Sequence, residues 1–302
     1  MLAPLVLLSY GCGTQTQTQT EDAITTALDN DAIFFGLGSS DPENPAFSIS
    51  TFSTTLETPA LRWWRTFTPG TRTSAALSND GVTAIVKVTR GITEGILNLK
   101  MTLTEPRYQK YFNQSGAWYV ELASSNGGIT WSIDKITTGV STSLDYTPAS
   151  GVGSVASTIV INEIKVVDKT TGTTLYAITQ EASASGPWIN RADIPAVSKG
   201  DSLEVTVTAS DSSSNFTPFV YVWPGNSGMD YIFRRMQHDD GTHGDTVAGD
   251  GIFVNTAQPI TVPADEPTGI KVMHVGIFSS GTLAGTTEAY DFRSMHIPYK
   301  VL

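Results

Sequence analysis

The densest chemistry in the chain lies between His238 and Phe253, a run reading His-Asp-Asp-Gly-Thr-His-Gly-Asp-Thr-Val-Ala-Gly-Asp-Gly-Ile-Phe. Asp239, Asp240, Asp245 and Asp250 are interspersed with Gly241, Gly244, Gly249 and Gly251, so carboxylate oxygens sit on a backbone free to curl. That combination suits a hard cation, since calcium takes about 6–8 oxygens from carboxylates, carbonyls and water. The spacing departs from the calcium loop of an EF-hand; Asp240, Asp245 and Asp250 instead recur every five residues. An ion-free cluster of turns accounts for the same residues, because Asp bonds its own backbone and Gly takes positive φ. The four aspartates are therefore candidate calcium ligands, with a plain turn cluster as the alternative. His238 and His243 flank them closely enough for a mixed His/Asp transition-metal site, although an oxygen-dominated loop favours calcium.

Other catalytic patterns are missing. No serine lies in a G-x-S-x-G elbow, and His238, His243, His274 and His296 include no H-E-x-x-H pair. Gly151-Val-Gly153 precedes a strand pattern and not a helix, so it is no phosphate cradle. With Cys12 the single cysteine, placed in the leader, neither thiol catalysis nor a thiolate zinc site is expected, and no intrachain disulfide can form. His274 sits in the apolar run Val272-Met-His-Val and reads as a sheet residue. A hydrolase using Asp240 and Asp250 as paired carboxylates is the enzymatic alternative, but such acids come from distant positions that spacing does not reveal. A non-enzymatic protein is the expectation.

The chain has 302 residues, enough for two domains. Charged residues are only 16% of it, while Ser, Thr and Gly are abundant, a profile of secreted β-rich domains. A formal charge of −11 opposes nucleic acid and anionic lipid headgroups as direct partners, because such binders carry a basic footprint. No run of eighteen apolar residues exists for a transmembrane helix.

Residues 1–8 are apolar, followed by Ser9-Tyr10-Gly11-Cys12 and a Thr/Gln repeat to Thr20. This arrangement resembles a bacterial lipoprotein signal, which implies diacylation of Cys12, a membrane anchor and a flexible tether over residues 1–20. Thr20 opens a short helix to about Asn30, with Glu21 and Asp22 in its first turn and Ala23, Ile24, Ala27 and Leu28 on one face.

Between residues 60 and 138 the pattern turns to strands, at residues 61–68, 84–89, 96–103, 118–123 and 130–136, with Asn126-Gly127-Gly128 as a hairpin turn. One helix and a meandering sheet over residues 21–138 resemble the α+β cone of nuclear transport factor 2-like proteins, which implies a ligand-binding or dimerising module. A pocket near Trp64, Trp118 and Arg65 is the second functional reading. Alternating tryptophans, Trp63, Trp64, Trp118 and Trp131, are otherwise core filling.

Residues 139–154 are poor in charge and rich in Gly, Ser and Thr, so a linker and domain boundary are placed there. Residues 155–302 then offer about seven short strands with turn signals between them, the spacing of an immunoglobulin-like β-sandwich. Here Asp239, Asp240, Gly241, Gly244, Asp245, Ala248, Gly249, Asp250, Gly251 and Phe253 match the signature Asp-Asp-Gly-x-x-Gly-Asp-x-x-Ala-Gly-Asp-Gly-x-aromatic. The match resembles the bacterial surface domains called choice-of-anchor X, and implies an extracellular β-rich module with no catalysis to carry over. The expectation is a mainly β protein of the bacterial envelope, outer-membrane-anchored or secreted, adhesive or scaffolding, with other envelope or extracellular proteins or glycans as partners.

Overall fold

A computed structural model describes residues 14–31, 62–69, 72–100, 108–145, 157–211, 219–223, 235–279, 282 and 290–302. Cys12 and the apolar leader lie outside the described residues. The fold is mainly β, with antiparallel sheets and, among the described residues, one α-helix.

Helix α1 spans Thr14–Asp29. It starts six residues before the expected cap at Thr20, so residues 14–20 are helix and not tether. Its apolar face sets its position: Ile24 and Leu28 are buried against strand residues, and packing of such a stripe supplies most helical stability in proteins. Asp31, just past its end, pairs with Arg191 at 2.5 Å.

The strands of the first half are β1 (Arg62–Pro69), β2 (Thr73–Asn79), β3 (Thr83–Lys100), β4 (Tyr108–Ser124) and β5 (Trp131–Ile136). The two runs expected at 84–89 and 96–103 are one strand, β3, up to Lys100. Its register against β4 slips between Ile92 and Gly95, a bulge that bends the strand without ending it. Gly95 is required there, because a Cβ would come within 2.5 Å of the Phe112 ring. The turn after β4 is closed by Asn126, whose Oδ1 accepts the Thr130 amide at 2.8 Å, while Gly127 and Gly128 take φ of 69° and 88°.

Strand β6 (Gly139–Asp145) occupies residues expected to be linker. Its inward face carries Gly139, Ser141 and Ser143, all buried. These small residues leave no apolar alternation, which is why composition alone reads them as a loop. Their hydroxyls are bonded: Ser141 Oγ lies 2.8 Å from His296 Nε2, and Ser143 Oγ accepts the Phe292 amide at 2.8 Å. Residues 146–156 lie outside the described residues.

The second half supplies β7 (Ile159–Asp168), β8 (Thr173–Ile178), β9 (Ile189–Asn190), β10 (Ala196–Val197), β11 (Ser202–Asp211), β12 (Phe219–Trp223), β13 (Arg235–Gln237), β14 (Ile252–Phe253), β15 (Ile260–Thr261), β16 (Gly269–Phe278) and β17 (Phe292–Val301). The larger sheet runs β1-β3-β4-β6-β17-β16-β12-β13, with β2, β5, β9 and β10 at its margins. Strand β6 pairs with β4 through residues 140–145 and with β17 through residues 139–142, so it joins both halves in one sheet. The smaller sheet runs β14-β11-β7-β8, with β15 also on β11.

Two cores follow. One joins Ile161, Ile164, Val205 and Val207 of the smaller sheet to Val222, Val275, Ile277 and Ile297 of the larger. The other gathers α1, β3, β4 and β5 around Trp118 and Trp131, and takes in Ile194 and Val272 from beyond residue 155. Burying such side chains stabilises by about 1.5–3 kcal/mol each. Trp118 and Trp131 are thus core residues. The side chains of Trp63, Trp64, Arg62 and Arg65 lie outside the described residues.

Candidate metal-binding loop

The loop from residue 238 to 251 leaves β13 at the margin of the larger sheet and enters β14 in the smaller one, so it runs from one sheet to the other. Its mouth is closed by a bridge in which His238 and Val254 exchange amide-to-carbonyl bonds of 3.0 and 2.9 Å. Phe253 and Val254 are buried beside it and anchor its exit. Opposite, the Asn255 side chain donates to the Met236 carbonyl at 2.8 Å.

Inside the mouth, Gly241, His243, Gly244, Gly249 and Gly251 all adopt positive φ. This region is open to glycine and costly for most other residues. His243, at φ 55°, is the one non-glycine residue of this kind among those described. It is held there by its carbonyl, which accepts the Thr256 amide at 2.7 Å and the Thr256 hydroxyl at 3.1 Å. Gly244 has no alternative, since a Cβ would lie 2.2 Å from Thr256 Oγ1.

The curled backbone aims its amides at carboxylates. Asp239 accepts three: Gly249 at 2.6 Å and Asp250 at 3.1 Å on Oδ1, and Gly251 at 2.9 Å on Oδ2. Successive amides converging on an anion form a nest. Asp245, buried, accepts Gly241 N–H at 2.7 Å and Val247 N–H at 3.1 Å. The Gly241 bond foremost, with the Val247 bond assisting, holds its carboxyl below the ordinary range. Among the described residues Asp250 accepts only the local Ile252 amide, at 2.9 Å.

The four aspartates singled out as ligands do not form one set. Carboxylate oxygens of Asp239, Asp245 and Asp250 lie within 4.8 Å of one another. Asp240 turns away to His238 and His243, and a donor atom from each of these three also lies within 4.8 Å of the other two. The fivefold spacing of Asp240, Asp245 and Asp250 does not follow this grouping: Asp239 stands with Asp245 and Asp250. Adjacent residues in a tight turn project to different sides, and spacing alone could not say which of the pair faces inward.

Thr242 is a functional neighbour that sequence reading passed over. Its hydroxyl lies 2.6 Å from Asp240 Oδ1 and 2.6 Å from His243 Nδ1, and its amide donates to Asp240 Oδ1 at 2.8 Å. The Thr242 hydroxyl first, then its amide, then the charges of His238 and His243, keep the Asp240 carboxyl below its ordinary range.

No protein-family model and no curated protein matches the chain. What the loop offers is decided by its donors. The triad of Asp239, Asp245 and Asp250 is all oxygen and fits calcium, which accepts carboxylates in flexible geometry. Each carboxylate keeps lone pairs beyond those used by the amides, since an ionised carboxyl has about four acceptor sites.

Away from the loop, His274 is a buried sheet residue, as its apolar run suggested. Its Nδ1 lies 2.7 Å from His296 Nδ1, and His296 continues to Ser141 on β6. The chain of contacts is built into the seam between the two halves and joins strands.

Proposed function

We propose that the chain is a non-enzymatic module of the bacterial cell envelope, anchored through Cys12 or secreted, with an adhesive, scaffolding or display role, and that calcium stabilises it. Other envelope or extracellular proteins or glycans are the partners of this reading. The observation that carries it is the convergence of the Asp239, Asp245 and Asp250 carboxylates within 4.8 Å, on a loop that bridges two sheets. Three like charges at that range repel in a partly dehydrated site, and a divalent cation converts the repulsion into attraction. A loop so loaded locks the layers of a module that has no disulfide to do so. The match of residues 239–253 to the choice-of-anchor X signature supports the same address, and residues 157–302 are read as its immunoglobulin-like part.

Ions that bind the native loop and not the unfolded chain raise stability in proportion to ln(1 + [L]/Kd). Calcium at roughly 100-fold above Kd is expected to raise the melting temperature by about 4 °C over chelated protein. Asp250→Asn keeps an oxygen for the Ile252 amide and removes one of the repelling charges, so it should abolish the shift while leaving the chelated protein at least as stable. Identical melting curves with calcium and with chelator would reject the calcium part of the reading.

A further inference from the structure

Strand β2 is exposed at all seven of its residues, Thr73–Asn79. One of its edges pairs with β3, and the other pairs with no strand among the described residues. The core stops one strand short of it. Val86 and Val88 of β3 are buried, whereas Ala76 and Ser74, opposite them in the register and so on the same face, are exposed. Strand β2 therefore overhangs the core with a row of backbone amides and carbonyls along its outer edge. Such a row is a template for another strand, and proteins guard it with charge, proline or a bulge. Strand β2 has no charge and no proline, and one bulge, where its register slips between Ala76 and Ser78. We propose that β2 is the contact through which two copies of this chain associate, edge to edge and antiparallel about a two-fold axis at Ala76.

The order of residues is the first reason. Laid antiparallel on itself about Ala76, the strand sets Ala75 against Leu77 of the second copy, Ser74 against Ser78 and Thr73 against Asn79. Each apolar residue meets an apolar one and each polar residue a polar one. Leu77, 50% exposed in the single chain, is covered by this pairing.

Charge is the second reason. One step beyond each end of the strand, the same register sets Arg72 against Asp80 of the second copy, twice by symmetry. A chain of formal charge −11 repels its own copy over most orientations, yet this one opposes no acid to an acid. Arg72 already pairs with Asp29, and its guanidinium has donors for a second carboxylate. Asp80 Oδ1 accepts the Val82 and Thr83 amides at 2.9 and 2.6 Å, which fixes the carboxylate at the end of the strand. Exposed ion pairs add little strength, but they set register and orientation.

Size sets the strength. In strand addition the main-chain bonds supply the affinity, and an edge of seven residues buries less than the about 1,200 Å² of a stable interface. The bulge limits the pairing further. The association is therefore weak and concentration-dependent.

Sedimentation equilibrium of the full chain over a wide range of concentration tests it. A monomer–dimer equilibrium is expected; a monomer at every concentration overturns the proposal. Ala76→Lys places two like charges at the axis and should weaken the dimer by at least about 10-fold. Asp80→Asn keeps an oxygen for both amides, removes the charge and should weaken it less. In a Cys12→Ser background, Ala76→Cys should give a disulfide-linked dimer on mild oxidation, because residues opposed at the axis have Cβ atoms about 4.5–5.5 Å apart. Ser78→Cys, which faces Ser74 of the second copy and not itself, should stay monomeric on the same treatment. A dimer indifferent to Ala76→Lys, or equal cross-linking at both cysteine positions, overturns the proposal. Should Ala76→Lys unfold, the two cysteine variants decide.

Discussion

Asp239 and Asp240 are adjacent and have opposite partners: one carboxylate is filled by main-chain amides, the other faces two imidazoles. Their neighbourhoods set the acid behaviour of the loop. Asp240 and Asp245 have folded-state pKa values below the ordinary 3.8, so the stability they contribute is present above that value and is lost as pH falls through the lower, folded value. Urea midpoints should therefore drop on acidification below about 4, and Asp245→Asn should shallow that decline. Asp291 has the opposite sign. Burial foremost, with Asp211 adding repulsion, raises its carboxyl, and Oδ1 finds no hydrogen-bond partner among the described residues. Its contribution is full below 3.8 and is lost as pH rises through the raised value. Asp291→Asn should make the protein more stable at pH 7 by urea denaturation, with little change in strong acid.

At the scale of elements, β6 decides the architecture. The Trp118 indole lies over Gly139, where an added Cβ would come within 1.9 Å of Nε1. Gly139→Ala must expel the ring or move the strand, and should cost about 1–3 kcal/mol in a denaturant titration. Gly81→Ala is the contrasting control, since its Cβ position is open and only its φ of 85° opposes the change. Strands with apolar alternation, β5, β7 and β11, were legible in sequence because one face of each is buried aliphatic or aromatic. Strand β6 was not, because its buried face consists of Gly and Ser whose worth lies in hydroxyl bonds to residues about 150 positions away. The loop was legible in composition, as an acid- and glycine-rich site, and illegible in grouping, because the choice between Asp239 and Asp240 rests on dihedrals that spacing does not encode.

For the whole molecule, one sheet crossing both halves predicts one unfolding event. The core around Trp118 and Trp131 borrows Ile194 and Val272 from the second half, and β17 needs β6 along Arg293–His296. Denaturation followed by tryptophan fluorescence and by far-ultraviolet circular dichroism should superimpose in the full chain; two separated transitions would show that the halves fold independently. A fragment of residues 155–302 would bare the β17 margin, an unpaired row of amides and carbonyls that invites other strands, and is expected to self-associate.

The position of β17 also sets a timetable for folding. It lies mid-sheet, yet its bond partners Ser141 and His296 are 155 residues apart in sequence, so the seam cannot zip until nearly the whole chain is present. Pairings this distant are slow to form. Any folding that begins before β17 is available must leave the β6 edge unpaired until it arrives.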